Sequence, residues 1–222
     1  MKNLKEYIIE GIFDTDEDTI DKNIKDLIKQ FLKDNFVSDS LYKISDKPNA
    51  DGKYEVSCNG SVVVKNQEIT SLTNGLFIWA NIDGYFSCYH GDSLTSLEGA
   101  PKKVGGRFSC EYCFSLKSLE GAPEKVGGVF DCNACHSLIS LKGAPEKVGG
   151  NFNCSHCTSL TSLKGAPKEV DGYFSCKGCK SLKSLNGAPK KVGNDFICSN
   201  CHIAFTINDV KKVSNVKGII KA

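Results

Sequence analysis

Residues 106–149 read GRFSCEYCFSLKSLEGAPEKVG and then GVFDCNACHSLISLKGAPEKVG, one 22-residue phrase written twice. The phrase starts a copy earlier, at GYFSCYHGDSLTSLEGAPKKVG (84–105). It runs on through GNFNCSHCTSLTSLKGAPKEVD (150–171) and GYFSCKGCKSLKSLNGAPKKVG (172–193). A sixth copy opens at Asn194 and decays after Cys201. A repeat of this length is one turn of a solenoid. Such a turn cannot bury its apolar side alone and is stable only when stacked on its neighbours.

Aligned on the repeat, the chain shows fixed columns. Phe86, Phe108, Phe130, Phe152, Phe174 and Phe196 form one; Cys88, Cys110, Cys132, Cys154, Cys176 and Cys198 follow two residues later. Phe-x-Cys has period 2, so both side chains leave a strand on the same face. A glycine before each strand marks a turn. Stacked copies then form a parallel sheet with rungs about 4.8 Å apart. A second Cys column follows, then two Leu columns starting at Leu94 and Leu97, then Val104 and its equivalents. Gly-Ala-Pro lies between Leu and Val; proline fixes φ and donates no hydrogen bond, so this is a corner. Each copy has room for a strand, two corners and little else, and no outer helix fits.

The segment F-x-C-x-x-C-x-x-L resembles the strand and corner of leucine-rich repeats in the variant with Cys at the ladder position. Phe108 and Cys110 match the inward strand positions, Cys113 the ladder position and Leu116 the leucine that closes the corner. The departures are Phe and Cys where Leu is usual, and a Val one place off the first Leu. Short S-L-x-S-L-x-G-A-P arrays of this kind are familiar from bacteriophage and mobile-element proteins. The resemblance implies a mainly β, right-handed parallel β solenoid with a small α+β N-terminal cap.

Twelve cysteines require an explanation. By spacing alone, Cys110/Cys113, Cys132/Cys135, Cys154/Cys157, Cys176/Cys179 and Cys198/Cys201 are CxxC pairs, a pattern zinc uses for tetrahedral thiolate sites. Against zinc, the pairs are odd in number, the first copy has Gly91 in place of the second Cys, and the first Cys alternates like a core residue. The favoured expectation is two structural ladders and no cofactor. Cys is then a small hydrophobe whose thiol donates to carbonyls left open by the corner. No signal peptide or membrane span is visible, so reduced thiols in a cytoplasm are expected.

The chain divides into an N-terminal helical segment (1–52), a β-hairpin and capping strand (53–83), the solenoid (84–201) and a C-terminal cap (202–222). Residues 1–12, MKNLKEYIIEGI, are amphipathic. They resemble the capsid-targeting peptide of internal head proteins in T-even-like phages. That resemblance implies cleavage between Glu10 and Gly11. Ile20, Ile24, Leu27, Ile28, Phe31 and Leu32 predict a helix over 15–35, with Thr15 and Asp18 as a capping box, closing the solenoid's end. Asn59-Gly60 between two β-prone runs reads as a hairpin turn. Ile69–Leu72 echoes Leu94–Leu97, and Leu76–Ala80 reads as a strand covering the end rung.

Function is sought in the columns that vary. These supply Tyr85, Arg107, Val129, Asn151 and Tyr173 at the strand, and Tyr89, Glu111, Tyr112, His156 and Lys177 just past it. A mixed aromatic and polar strip suits a protein partner. The four histidines are read as sharing no column, which gives no repeated acid–base or metal site. The Lys/Glu pairs of the other corner have mixed signs, and net charge is only +2. Nucleic acid is therefore a lesser alternative, and no membrane partner is expected. No catalytic motif is visible. The expectation is a non-catalytic protein-binding scaffold, cytoplasmic in a bacterial host or virion-associated, with a zinc module as the alternative.

Overall fold

The computed structural model describes residues 17–38, 40–73 and 75–222. The proposed targeting peptide, the Glu10–Gly11 cleavage point and the Thr15 cap lie outside them. The chain is a parallel β-solenoid of about eight turns. Helix α1 spans Glu17–Asn35. Ile28 and Leu32 are fully buried, Ile24 is buried and Phe31 is half-buried. Phe31 meets Phe77 edge-on at 5.9 Å. The helix therefore packs its apolar face on the first turns, as its periodicity demands.

After it come β1 (Phe36–Ser38), β2 (Tyr42–Ile44), β3 (Tyr54–Cys58), β4 (Val62–Val64) and β5 (Phe77–Ile82). Each remaining turn carries two short strands. These are β6 (Phe86–Ser87), β7 (Lys103–Val104), β8 (Phe108–Ser109), β9 (Lys125–Val126), β10 (Phe130–Asp131), β11 (Lys147–Val148), β12 (Phe152–Asn153), β13 (Glu169–Val170), β14 (Phe174–Ser175), β15 (Lys191–Val192) and β16 (Phe196–Ile197). Helix α2 (Ile207–Val213), β17 (Asn215–Val216) and β18 (Ile220–Lys221) complete the described fold. Two nine-stranded sheets result. One runs β1-β4-β6-β8-β10-β12-β14-β16-β18, the other β17-β15-β13-β11-β9-β7-β5-β3-β2.

The second sheet is a difference from the expected single strand per turn. Lys-Val before the glycine corner is polar outside and apolar inside, and it pairs in register, as Lys147 with Glu169 and Val148 with Val170. Gly127 sits in that corner because an added Cβ would meet the Gly105 carbonyl oxygen at 2.3 Å. At the opposite corner Gly121 has φ +85, and a Cβ would lie 2.3 Å from the Glu98 amide nitrogen. Turns stacked this closely leave no space for a side chain there.

The expected hairpin at Asn59-Gly60 does not form. β3 and β4 belong to different sheets, and Asn59-Gly60 is the corner between them. The Gly84 amide donates to the Gly60 carbonyl at 3.0 Å, and the Gly106 amide to the Gly84 carbonyl at 2.8 Å. Residues 54–64 therefore begin the solenoid, with Val62 in register with Phe86. β5 is a strand as expected but lies inside its sheet, between β3 and β7. The end rung is covered instead by β1 and β2, which pair antiparallel to β4 and β3. At the other end α2 takes the place of one corner. Its capping box joins Thr206 and Asp209, and Val210 is buried. β17 and β18 then pair parallel to β15 and β16.

One core runs the length of the array. The six Phe rings stack with centroids 5.0–6.0 Å apart. Burying that ring area is the main stabilising term.

Candidate functional site

The cysteine columns are part of this core. Each second-column thiol donates to the carbonyl of the first-column Cys one turn back. Cys113 reaches Cys88 at 3.1 Å, Cys135 reaches Cys110 at 3.0 Å, and Cys157 reaches Cys132 at 3.2 Å. Cys179 and Cys201 reach Cys154 and Cys176, both at 3.2 Å. Three first-column thiols donate along the sheet: Cys88 to the Ser109 carbonyl at 3.3 Å, Cys132 to Asn153 at 3.4 Å and Cys154 to Ser175 at 3.3 Å. A hydrogen bond with Cys113 and then burial push the Cys88 thiol well up; burial and then Cys157 do the same at Cys132. Cys201, half-buried at the array's end, goes the other way, to about 7. A hydrogen bond from Cys176, the backbone amides of Cys179 and Gly178, and the charge of Lys180 all draw it down. Among the described residues no three His, Cys, Asp or Glu side chains converge as a metal-binding group.

The ten candidate surface residues separate into three places. On the outer face of the first sheet, Arg107 bridges Glu111 and Asp131, the latter at 2.8 Å. Ser109 Oγ donates to Glu111 at 2.9 Å. Asp131 is itself buried; burial first, then Glu111, raises its carboxyl. Tyr173 lies by this network, its hydroxyl raised by burial and then by Asp131. Asn151 is occupied internally, since its Oδ1 accepts from the Tyr173 amide at 3.0 Å. Val129 is half-buried and Tyr85 exposed at the strand entrance.

The third place is the corner after the first-sheet strands. Here Tyr89 meets His90 at 4.3 Å and Tyr112 at 5.4 Å. His90 stacks on Tyr112 at 4.9 Å, and Phe114 stacks on His136 at 5.1 Å. Phe114 also meets Tyr112 edge-on at 6.2 Å. Five rings thus cross three turns on the surface, with Tyr89 and Phe114 exposed by 45% and 37%. His156 and Lys177 follow on the same corner and are exposed.

The corner has an unusual backbone. His90, Tyr112, Ala134, His156 and Asn200 all have φ of 56–59°, and Gly178 fills the same column at φ 72°. A non-glycine side chain in this left-handed region costs about 1 kcal/mol. The ladder continues through it, with the His90 amide donating to Glu111 and the Tyr112 amide to Asn133, both at 3.0 Å.

Phe114 and His136 were not among the sequence-derived candidates. Their signal was a large apolar residue in a variable column between the fixed Cys113 and Leu116. The histidines do share columns, contrary to the sequence expectation. The register puts His90 with His156, and His136 with His202, in shared columns. Members of each pair are three turns apart, about 14 Å at sheet spacing, too far to bind one ligand atom.

The Lys/Glu corner is different. Lys142 pairs with Glu120 at 2.6 Å, Lys168 with Glu146 at 2.6 Å and Lys191 with Glu169 at 2.7 Å. Lys147 meets Asp171 at 3.2 Å. The described residues also form two depressions. One, of about 550 Å³, lies beside Thr70, Ser96, Glu98 and Lys102; the other, of about 560 Å³, lies by Lys190, Lys211 and Ser214. No described helix is long and apolar enough to cross a membrane. Comparison with known protein families, curated proteins and solved structures finds no match to this chain.

Proposed function

We propose that this protein is a non-catalytic repeat scaffold that docks another protein on the ring cluster of Tyr89, His90, Tyr112, Phe114 and His136. The observation that carries the reading is the gathering of five rings on one surface corner, with Tyr89, Phe114 and His136 exposed and His90 and Tyr112 half-buried on left-handed backbone. Gly178 occupies the same column as Tyr112 without side-chain strain. Placing aromatic groups there spends stability on a surface feature, which is expected of a binding site. On the other faces Arg107 is held by Glu111 and Asp131, and Lys142, Lys168 and Lys191 are held by glutamates.

The cysteines belong to the ladder in this reading, and the protein carries no cofactor. The zinc alternative would have to break thiol–carbonyl bonds along the core. The short Cys-containing repeat favours a leucine-rich-repeat-like protein of phage or mobile-element origin. Its setting is then the cytoplasm of a bacterial host or the virion, with the N-terminal peptide as a packaging signal cut at Glu10–Gly11.

The test uses a Tyr89→Ala, Tyr112→Ala, Phe114→Ala triple variant beside the wild type as bait in bacterial lysate under reducing conditions. A species held by the wild type and released by the variant, at matched thermal stability, is the expected result. Equal capture by both proteins overturns the assignment to this corner.

A further inference from the structure

We infer that the ring cluster and the lysines beyond it form one extended site for an acidic peptide with aromatic or aliphatic residues at one end. This rests on the docking reading above and gives the partner its chemistry.

The register supplies the continuity. Lys177 stands in the column of Tyr89, four turns on, and Lys180 in the column of Phe114 and His136. Lys183 flanks them, and all three lysines are exposed. Across the molecule, Lys142, Lys168 and Lys191 are matched with Glu120, Glu146 and Glu169, while Lys102, Lys103, Lys125 and Lys190 have no ion pair among the described residues but no exposed aromatic neighbour on their corner either. Among the described residues no ion pair engages Lys177, Lys180 or Lys183. The one acid set between the two ends, Glu111, is already held by Arg107 and Ser109. At the ring end the exposed Asp92 and Lys117 contribute one charge of each sign. The corner is therefore neutral and aromatic at one end and positive at the other.

Length fixes the size of the ligand. Four turns at sheet spacing span about 19 Å. An extended chain at about 3.3 Å per residue covers this with six or seven residues. The apolar residues would lie on Tyr112 and Phe114, and the carboxylates would reach the lysines. Unpaired cations on a solvated rim add chiefly to encounter rate and to discrimination against the wrong charge.

Selection of a displayed random heptapeptide library on the full chain tests this. It is followed by fluorescence anisotropy with a labelled peptide of two aromatic and four acidic residues, its glutamine analogue, and heptathymidylate. The expected result is enrichment of acidic sequences with apolar residues at one end, and at least about tenfold weaker binding of the glutamine analogue. Lys177→Gln with Lys180→Gln removes that tenfold difference and flattens the salt dependence. Tyr112→Ala with Phe114→Ala weakens both peptides. Enriched sequences that need the rings but are not acidic overturn the partner's chemistry and leave the docking reading standing. Tighter, lysine-dependent binding of heptathymidylate overturns it in favour of single-stranded nucleic acid. No ring-dependent enrichment overturns both readings.

Discussion

The first turns, residues 54–83, and the regular array, 84–193, build the same rung from different residues. Where the array has Phe and Cys, the first rung has Val62 and Val64. Where the array has Val104 or Val126, it has Cys58 and Ile82. Trp79, whose indole donates to the Leu72 carbonyl at 2.9 Å, fills the wider start of the core. It is ringed by Phe36, Phe77 and Phe86 at 5.3–5.7 Å. The rung is thus specified by alternating burial and by a corner at the right spacing, and the repeated phrase is one solution among several. What the array adds is identity between neighbours, so that like side chains stack as ladders.

That difference has a size. Phe152 packs between Phe130 at 5.1 Å and Phe174 at 5.6 Å. Phe152→Ala leaves a cavity in a central rung and is expected to cost about 3–5 kcal/mol. It also divides a nearest-neighbour array, so unfolding should broaden or become biphasic. Val62→Ala, in the first rung, is expected to cost about 2 kcal/mol with one cooperative transition. Urea unfolding followed by circular dichroism measures both. A Phe152→Ala cost no larger than that of Val62→Ala would mean that the ring column is worth less than its buried area alone supplies.

The thiol ladder gives a smaller contrast, because the first-rung strands have no counterpart to it. Cys157→Ala removes the donor to the buried Cys132 carbonyl and is expected to cost about 1–2 kcal/mol. Cys157→Ser keeps a donor of similar size and should cost roughly half as much. The order of the two unfolding midpoints decides the matter. If alanine is the better tolerated, packing rather than hydrogen bonding maintains the column.

The same contrast explains what could be read from the chain. Phe130, Cys132, Leu138 and Val148 recur at fixed spacing, so periodicity alone identified the core and the solenoid. Asn59-Gly60 misled because a turn dipeptide reports local curvature and carries nothing about which strands it joins. Glu146-Lys147 reads as a solvated corner, and the strand at Lys147–Val148 goes unseen, because two residues leave no alternation to detect. For the binding surface, sequence located the variable columns but could not rank them. Tyr112 and Tyr173 look alike there; the fold half-buries both but seats one in a ring cluster at the corner and the other beside Asp131.

The weakest expected effect sets the end of the ladder against its interior. Cys201 is the last thiol, half-buried, with its pKa drawn down to about 7, whereas Cys154 within the array is pushed well up by burial and then by Cys179. Iodoacetamide reacts with the thiolate, so Cys201 should be modified first at neutral pH, with a rate that is half-maximal near pH 7. Peptide mass spectrometry reads the order of labelling. A midpoint at the ordinary cysteine value, or labelling of Cys154 at the same rate, would mean that the terminal rung holds its thiol no differently from the others. The sign of the stability effect follows. A pKa depressed on folding favours the thiolate state, so the contribution is present above the unfolded cysteine pKa, about 8.5, and fades as pH falls through about 7. The urea midpoint should therefore rise slightly between pH 6.5 and 8.5 in the wild type relative to Cys201→Ser. The rise is small because solvent screens a half-exposed charge.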